Sequence, residues 1–128
     1  MHNTDAHRLI HTYVQGWITA DREHSLSTLD PDCVIIESYG PTYRGKDMIA
    51  RWIDSWFAPG NIVNRWEVTS LYTVDESCFL EWIFECTYEG SRSSFEGASL
   101  AQARDSGKET RLCCSRFGEG GYEGDNTS

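Results

Sequence analysis

The sequence predicts a single α+β domain in which three N-terminal helices pack against an antiparallel sheet. Two patterns lead to this fold class. Apolar residues recur at helical spacing through much of the first half of the chain, and they alternate at strand spacing through most of the second half. A chain of 128 residues with five Trp, six Tyr and five Phe can bury one core. We therefore expect one domain over residues 1–117. Residues 118–128 hold too little apolar surface to fold and are expected to form a disordered tail.

The first two helices are predicted before the first strand. The segment from His2 to Ala20 carries apolar residues on one helical face, at Ala6, Leu9, Ile10, Tyr13, Val14, Trp17 and Ile18. The charged run that begins at Asp21 interrupts this helix. Leu26 and Leu29 then indicate a short second helix, which ends before the turn residues that begin at Asp30.

A strand and a third helix follow. The β-branched run from Cys33 to Tyr39 predicts the first strand, which Gly40 and Pro41 end. Met48 to Phe57 again repeats at helical spacing, until Pro59 and Gly60 stop the helix.

Everything beyond the third helix indicates a four-strand antiparallel meander. The predicted strands are Ile62–Val74, Ser77–Tyr88, Ser91–Arg104 and Lys108–Phe117. In Ser77–Tyr88, every second residue from Cys78 onward is apolar, which predicts one buried face. The opposite face mixes Phe79 and Ile83 with glutamates, as in a sheet partly covered by a second subunit. We expect a homodimer that associates through this sheet face.

Charge and composition exclude several classes of protein. A net charge of −9 with only 11 thinly spread Lys and Arg argues against a nucleic-acid partner. The apolar runs are far shorter than a membrane span, and the first residues lack a signal pattern, so we expect no membrane partner and a cytoplasmic location.

The five cysteines, Cys33, Cys78, Cys86, Cys113 and Cys114, are odd in number and form no Cys-x-x-Cys pair. We therefore expect neither a disulfide framework nor a metal site, and we expect the thiols to be reduced.

The order of elements resembles the SnoaL-like branch of the superfamily that includes nuclear transport factor 2, ketosteroid isomerase, scytalone dehydratase and limonene epoxide hydrolase. The similarity runs from about His7 to Phe117. It is most typical in Asp32–Glu37 leading to Tyr43–Ile49, and in Phe95–Ser99 leading to Arg104–Lys108. The resemblance implies a cystatin-like or nuclear transport factor 2-like α+β barrel, with a curved sheet folded around long helices and a cone-shaped cavity open at one end.

Ketosteroid isomerase is the nearest chemical parallel. An ungapped overlay matches its proton-shuttling acid to Glu37 and its oxyanion-binding tyrosine to Tyr13. It also matches Asp21 and Asp32 to acidic residues. The second oxyanion donor of that enzyme falls near Leu100, which cannot donate, and Gln102 on the same strand face is the expected substitute.

The other chemistries of the superfamily fit less well. The dehydratase implies two pocket histidines, but all four histidines precede the first strand. The epoxide hydrolase implies an Asp-Arg-Asp relay on the sheet, whereas Arg104 and Asp105 lie at a predicted turn. SnoaL-type polyketide cyclases use an acid to move a proton beside a carbonyl, which Glu37 can do.

Two classes of function follow. The first is a cofactor-free isomerase or cyclase, in which Glu37 moves a proton and Tyr13 stabilises the oxyanion, with Trp17, Trp56, Trp82 and Gln102 as ligand contacts. The second is a non-catalytic module that binds an apolar small molecule or dimerises. In that class Glu37 is a solvated strand-end carboxylate, and Tyr13 and the tryptophans fill the core.

Overall fold

Among the described residues, two helices precede the first two strands, a third helix follows those strands, and four long strands come after it. The computed structural model describes residues 3–37, 40–106 and 109–120. The helices are α1 (Asn3–Ile18), α2 (Arg22–Leu26) and α3 (Lys46–Phe57). The strands are β1 (Leu29–Ile36), β2 (Thr42–Arg44), β3 (Ile62–Val74), β4 (Ser77–Tyr88), β5 (Ser91–Ser106) and β6 (Glu109–Gly120). The predicted α+β class is confirmed.

The six strands form one curved sheet in the order β2-β1-β6-β5-β4-β3. Its two outer strands do not pair with each other, so the sheet is open and the barrel is not closed. All pairs are antiparallel except β1 and β6, which run parallel with Val34 opposite Cys114. The sheet is therefore not purely antiparallel. After β2, the chain passes through α3 to β3 at the far edge of the sheet. The meander then returns strand by strand, so that its last strand, β6, lies beside β1 and runs in the same direction.

Several element boundaries differ from the predicted ones, each for a local reason. The second helix begins at Arg22 because the Asp21 side chain caps it, accepting a hydrogen bond from the His24 amide at 3.3 Å. β1 begins at Leu29, which pairs with Leu112, rather than at Cys33. The short strand β2 was not predicted.

The end of the chain also differs from the expectation. β6 continues to Gly120, paired with Glu96 of β5, and so extends three residues into the segment expected to be a disordered tail. Residues 121–128 of that segment lie outside the described residues.

The core lies between the helices and the concave face of the sheet. On β4 the alternate residues Cys78, Leu80, Trp82 and Cys86 are buried, as the alternation predicts. On the helical side of the core, α3 buries Ile49 and Ile53, and α1 buries Leu9, Ile10, Tyr13, Val14 and Trp17. Among the helices that the structure describes, none is long and apolar enough to cross a membrane.

The end of α1 is held against α2 by a close approach at Gly16. The Ser25 hydroxyl donates to the Tyr13 carbonyl oxygen at 2.6 Å and is buried. A Cβ atom at Gly16 would lie 2.0 Å from the Ser25 Oγ and 2.6 Å from its amide nitrogen. Only glycine therefore fits, and the contact fixes the turn of α1 that carries Tyr13.

We predict that Gly16→Ala destabilises the fold. In an open helix this change stabilises by roughly 0.5–1 kcal/mol, but here the overpacking should lower the free energy of unfolding by about 1–3 kcal/mol. Urea unfolding measures the difference, with the exposed α1 residue His11, changed to Ala, as the control. A Gly16→Ala protein as stable as wild type would contradict the close approach.

Asp30 connects β1 to β5 across the intervening strand. Its buried carboxylate accepts from Arg104 at 2.8 Å and from the Asp32 amide at 3.0 Å. The hydrogen bond from Arg104 is the largest cause of a lowered pKa for Asp30, and the positive charge of Arg111 adds to it. These bonds explain how an aspartate from a predicted turn is accommodated inside the sheet.

The lowered pKa of Asp30 predicts a specific loss of stability in acid. Because the folded pKa lies below the unfolded value of about 3.9, the stabilisation is complete above that value and is lost as pH falls through the folded pKa. Asp30→Asn should be less stable than wild type at pH 7, with a smaller fall in stability below about pH 4. Asp32→Asn, which changes an exposed carboxylate, is the control for urea unfolding across pH. Equal pH profiles for Asp30→Asn and wild type would refute the role of the ion pair.

Candidate functional site

A cavity of about 270 Å³ lies between α1, α3 and the concave face of the sheet. Among the described residues thirteen line it, and ten of these are aromatic. The aromatic residues are Tyr13, Trp17, Trp52, Trp56, Trp66, Trp82, Phe84, Tyr88, Phe95 and Phe117, and the others are Glu37, Cys86 and Ser93. Such a wall suits an apolar, flat ligand.

The rings that line the cavity pack mostly edge to face. Trp66 meets Phe84 at 90° and Trp82 at 77°, with ring centroids 5.4 and 6.2 Å apart. Trp17 meets Trp56 at 75° with centroids 5.5 Å apart. These are favourable aromatic geometries, so the walls of the cavity support one another.

The cavity brings Glu37 and Tyr13 together. Glu37 directly follows β1 and is half-buried, and Tyr13 is buried on α1. Burial is the main cause of the raised pKa of Tyr13, and the nearby Glu37 carboxylate raises it further. The Tyr13 hydroxyl therefore stays protonated at neutral pH and is able to donate a hydrogen bond.

The same carboxylate also acts on β2. Tyr43 stacks on Trp52 with centroids 4.6 Å apart, and its pKa is raised by burial and by Glu37. Glu37 therefore lies near two tyrosines, one from α1 and one from the strand that the sequence did not predict.

Three buried donors at this site have no hydrogen-bond partner among the described residues. They are the Tyr13 hydroxyl and the indole nitrogens of Trp17 and Trp66. Trp17 lies close enough to lower the pKa of Tyr13, against the net upward shift, but no hydrogen bond of normal geometry joins them. Trp82, by contrast, donates to the Ser99 Oγ at 2.9 Å.

The structure places the predicted ligand contacts in two different locations. Trp17, Trp56 and Trp82 line the cavity together with Tyr13 and Glu37. Gln102 does not line it. Cross-strand pairing puts Ser99 opposite Leu80 on the concave face, so Leu100 and Gln102 face the other side of the sheet. Gln102 is exposed there, with its amide 3.5 Å from the Ser77 hydroxyl.

Trp66 also lines the cavity, although it was not among the ligand contacts predicted from the sequence. Simple alternation from the buried Val63 puts Trp66 on the outer face. An irregularity in the pairing between Val63 and Arg65 reverses that alternation and turns Trp66 inward, opposite Phe84. Phe84 itself was detectable, because it lies on the apolar face of β4 with Trp82.

The remaining acids of the overlay lie outside the cavity. Asp21 caps α2, and Asp32 is exposed. Arg104 is paired with Asp30, and the Asp105 carboxylate accepts from Thr110 at 2.5 Å. None of these four residues lines the cavity, so the Arg104 region does not supply a relay to it.

The histidines of α1 line a separate groove. His7 and His11 face Thr69 and Ser70 of β3 across a space of about 340 Å³ on the other side of Trp66. Over residues 3–37, 40–106 and 109–120, no three His, Cys, Asp or Glu side chains are arranged to hold a metal ion.

Comparison with solved structures supports the fold. An epoxide hydrolase of M. tuberculosis that resembles limonene epoxide hydrolase has a TM-score of 0.78 and 14% identity, over 91% of this chain and 84% of that one. A ketosteroid isomerase-like protein from Erwinia carotovora atroseptica has a TM-score of 0.73 and 18% identity, over 93% and 98%.

A third structure with this fold has a bound ligand. It is a protein from Catenulispora acidiphila with a ketosteroid isomerase-like fold, in complex with trimethylamine. It has a TM-score of 0.68 and 14% identity, over 85% of this chain and 82% of that one.

Sequence comparison gives the family directly. No curated protein matches the sequence significantly. The profile of the SnoaL-like domain, however, matches residues 10–112, which include α2, α3, the first five strands and most of α1. The chain therefore belongs to the SnoaL-like domain family.

Proposed function

We propose that the chain binds a small, flat ring ketone and moves a proton on the carbon beside its carbonyl. One observation carries this proposal: a carboxylate, Glu37, and a buried phenol, Tyr13, line the same aromatic cavity. A base and a hydrogen-bond donor on one site are the two groups that enolisation needs.

The size of the cavity limits the ligand. An apolar cavity of about 150 Å³ accepts benzene, and sites for drug-sized ligands begin near 300 Å³. At about 270 Å³ this cavity suits one ring or two fused rings. It is small for a four-ring steroid, so we propose a smaller substrate than that of ketosteroid isomerase.

The proposed step balances within the site. The Glu37 carboxylate removes a proton from the carbon beside the carbonyl. The electron pair of the broken C–H bond forms a carbon–carbon double bond, and the π electron pair of the carbonyl moves onto its oxygen to give an enolate. Tyr13, kept protonated by burial, donates a hydrogen bond to this oxygen. Glu37 then returns the proton to the same or another carbon, so no cofactor is consumed.

We predict that Glu37→Gln retains binding and loses turnover. With 2-indanone as a two-ring probe, wild type should accelerate exchange of the protons beside the carbonyl with D₂O, followed by NMR. Glutamine preserves the shape but is no base, so the rate should fall by roughly 10²–10⁴-fold, with a dissociation constant within a few-fold of wild type. Asp32→Gln, which changes an exposed acid outside the cavity, is the control. Undiminished exchange in Glu37→Gln would disprove the catalytic role.

Binding without turnover is the second candidate. Ten aromatic residues and one carboxylate also suit an alkylammonium cation, which aromatic faces attract, and the Catenulispora structure is a complex with trimethylamine. The same variant separates the two functions. If the site is a cation binder, wild type binds phenyltrimethylammonium without accelerating exchange of 2-indanone, and Glu37→Gln loses affinity for the cation.

We also propose that two copies associate through the outer face of the sheet. On that face Tyr72 lies opposite Phe79, and Phe79 lies opposite Leu100, forming an apolar row across three strands. Tyr72 is 65% exposed and Phe79 47%. Arg65 lies farther along β3 and forms ion pairs with Glu67 and Glu85. This cluster presents both positive and negative charge to a second copy.

The proposed dimer makes a direct prediction. Phe79→Glu places a charge in the centre of the apolar row and should convert dimer to monomer, measured by sedimentation equilibrium. His11→Glu adds the same charge on α1, in the helical layer, and should leave the association unchanged. A wild-type protein that is monomeric at all concentrations would exclude this interface.

The cysteines bear on where the proposed function operates. All five are free, and burial raises the pKa of Cys33 to about 12, so that thiol stays protonated. Unpaired thiols are typical of reducing compartments. We therefore propose a cytoplasmic location.

A further inference from the structure

The partnerless donors at the cavity require an explanation. A buried polar group without a hydrogen bond destabilises a fold, and most buried groups have partners. Within the part of the chain that the structure describes, the Tyr13 hydroxyl and the indole nitrogens of Trp17 and Trp66 have none, and all three residues line one cavity. A set of donors with no acceptor among the described residues points to an acceptor supplied by a ligand.

Trp82 shows that the fold can satisfy an indole where no ligand is needed. It lines the same cavity and is as buried as Trp17, at 4% and 5% exposure. Its nitrogen donates to the Ser99 hydroxyl on the neighbouring strand. The missing partner of Trp17 is therefore a feature of its own position and not a general consequence of a core rich in tryptophan.

Trp17 is also the indole of this group that shares a helix with Tyr13. The two residues are four apart on α1, so their side chains lie on one helical face. The Trp66 ring lies 6.1 Å from the Tyr13 ring and 6.4 Å from the Trp17 ring, measured between ring centroids, so the three side chains form one cluster. Solvent does not reach the three polar atoms, so rings must part slightly for an oxygen to enter.

We propose that the Trp17 indole N–H is a second hydrogen-bond donor, which together with the Tyr13 hydroxyl binds the oxygen of the substrate. This inference rests on the proposed function and defines its ligand more closely, as a compound whose oxygen gains negative charge. It also supplies the donor that Leu100 and Gln102 do not, because both face away from the cavity.

The consequence is electrostatic. As Glu37 takes the proton, negative charge moves onto the ligand oxygen, and fixed donors in an apolar cavity stabilise that charge strongly. Removing one such donor typically lowers the rate by roughly 10²–10³-fold. The hydrogen bond from Trp17 should therefore stabilise the charged oxygen of the enolate more than the neutral oxygen of the ketone.

The test uses 2-naphthol, whose ionised oxygen imitates the enolate. Its absorbance reports the pKa of the bound probe at wavelengths where tryptophan does not absorb. A hydrogen bond to a charged group favours the ionised form, so Trp17→Phe should decrease the ionisation constant of the bound probe about tenfold to a hundredfold. Thr19→Ala, which removes an exposed hydrogen-bond donor two residues after Trp17 and outside the cavity lining, is the control and should leave that constant unchanged.

A second measurement needs no variant. In ¹⁵N-labelled wild-type protein, the Trp17 indole N–H resonance should move downfield when ionised 2-naphthol binds, because a new hydrogen bond forms. If the probe binds and this resonance stays in place, or if Trp17→Phe changes the ionisation of the bound probe no more than Thr19→Ala does, the second donor is refuted while the proposed function stands. If wild type does not bind 2-naphthol at all, the proposed binding function fails with it.

Discussion

The packing of Trp17 is the contact on which the rest of the structure depends. Its ring packs against Trp52, Trp56 and Phe57 of α3, with ring centroids 5.2–5.5 Å apart. It also packs against Trp66 of β3, with centroids 6.4 Å apart. One side chain thus joins α1, α3 and the edge of the sheet. The same contacts that hold the layers together also form part of the cavity wall, because Trp17, Trp52, Trp56 and Trp66 all line it.

The cavity gives its few polar groups unusual weight. Aromatic rings form most of its wall, and the polar groups that line it include the Glu37 carboxylate. They also include three donors that have no hydrogen-bond partner among the described residues. Charges and dipoles interact more strongly in such surroundings than in water. A protein that only needed a stable core would gain by replacing these donors with apolar atoms, which is why we assign them to a ligand.

Much of the fold was predictable because it follows from period and turn chemistry. The bounds of β3 and β4 follow from alternation between clear turns, and helical spacing located α1 and α3. Tyr13, Trp17 and Trp56 were also accessible, since each lies on the apolar face of a long helix. The structure lines one cavity with these three, Trp82 and Glu37, although their roles stay proposals.

The remainder depended on pairing between strands, which a single sequence does not specify. Trp66 turns inward because of a bulge, Gln102 turns outward because of the register between β4 and β5, and Asp30 enters the sheet because Arg104 reaches it from β5. The parallel pairing of β1 with β6 is likewise a consequence of the complete topology. None of these has a local signal.

The most direct test of the central claim is a crystal structure of the protein with 2-naphthol bound. Our account predicts the rings of the probe inside the aromatic cavity, its oxygen within hydrogen-bond distance of the Tyr13 hydroxyl and the Trp17 indole nitrogen, and the Glu37 carboxylate facing its ring carbons. A probe bound outside the cavity, or bound inside it with its oxygen directed away from Tyr13, would contradict the account.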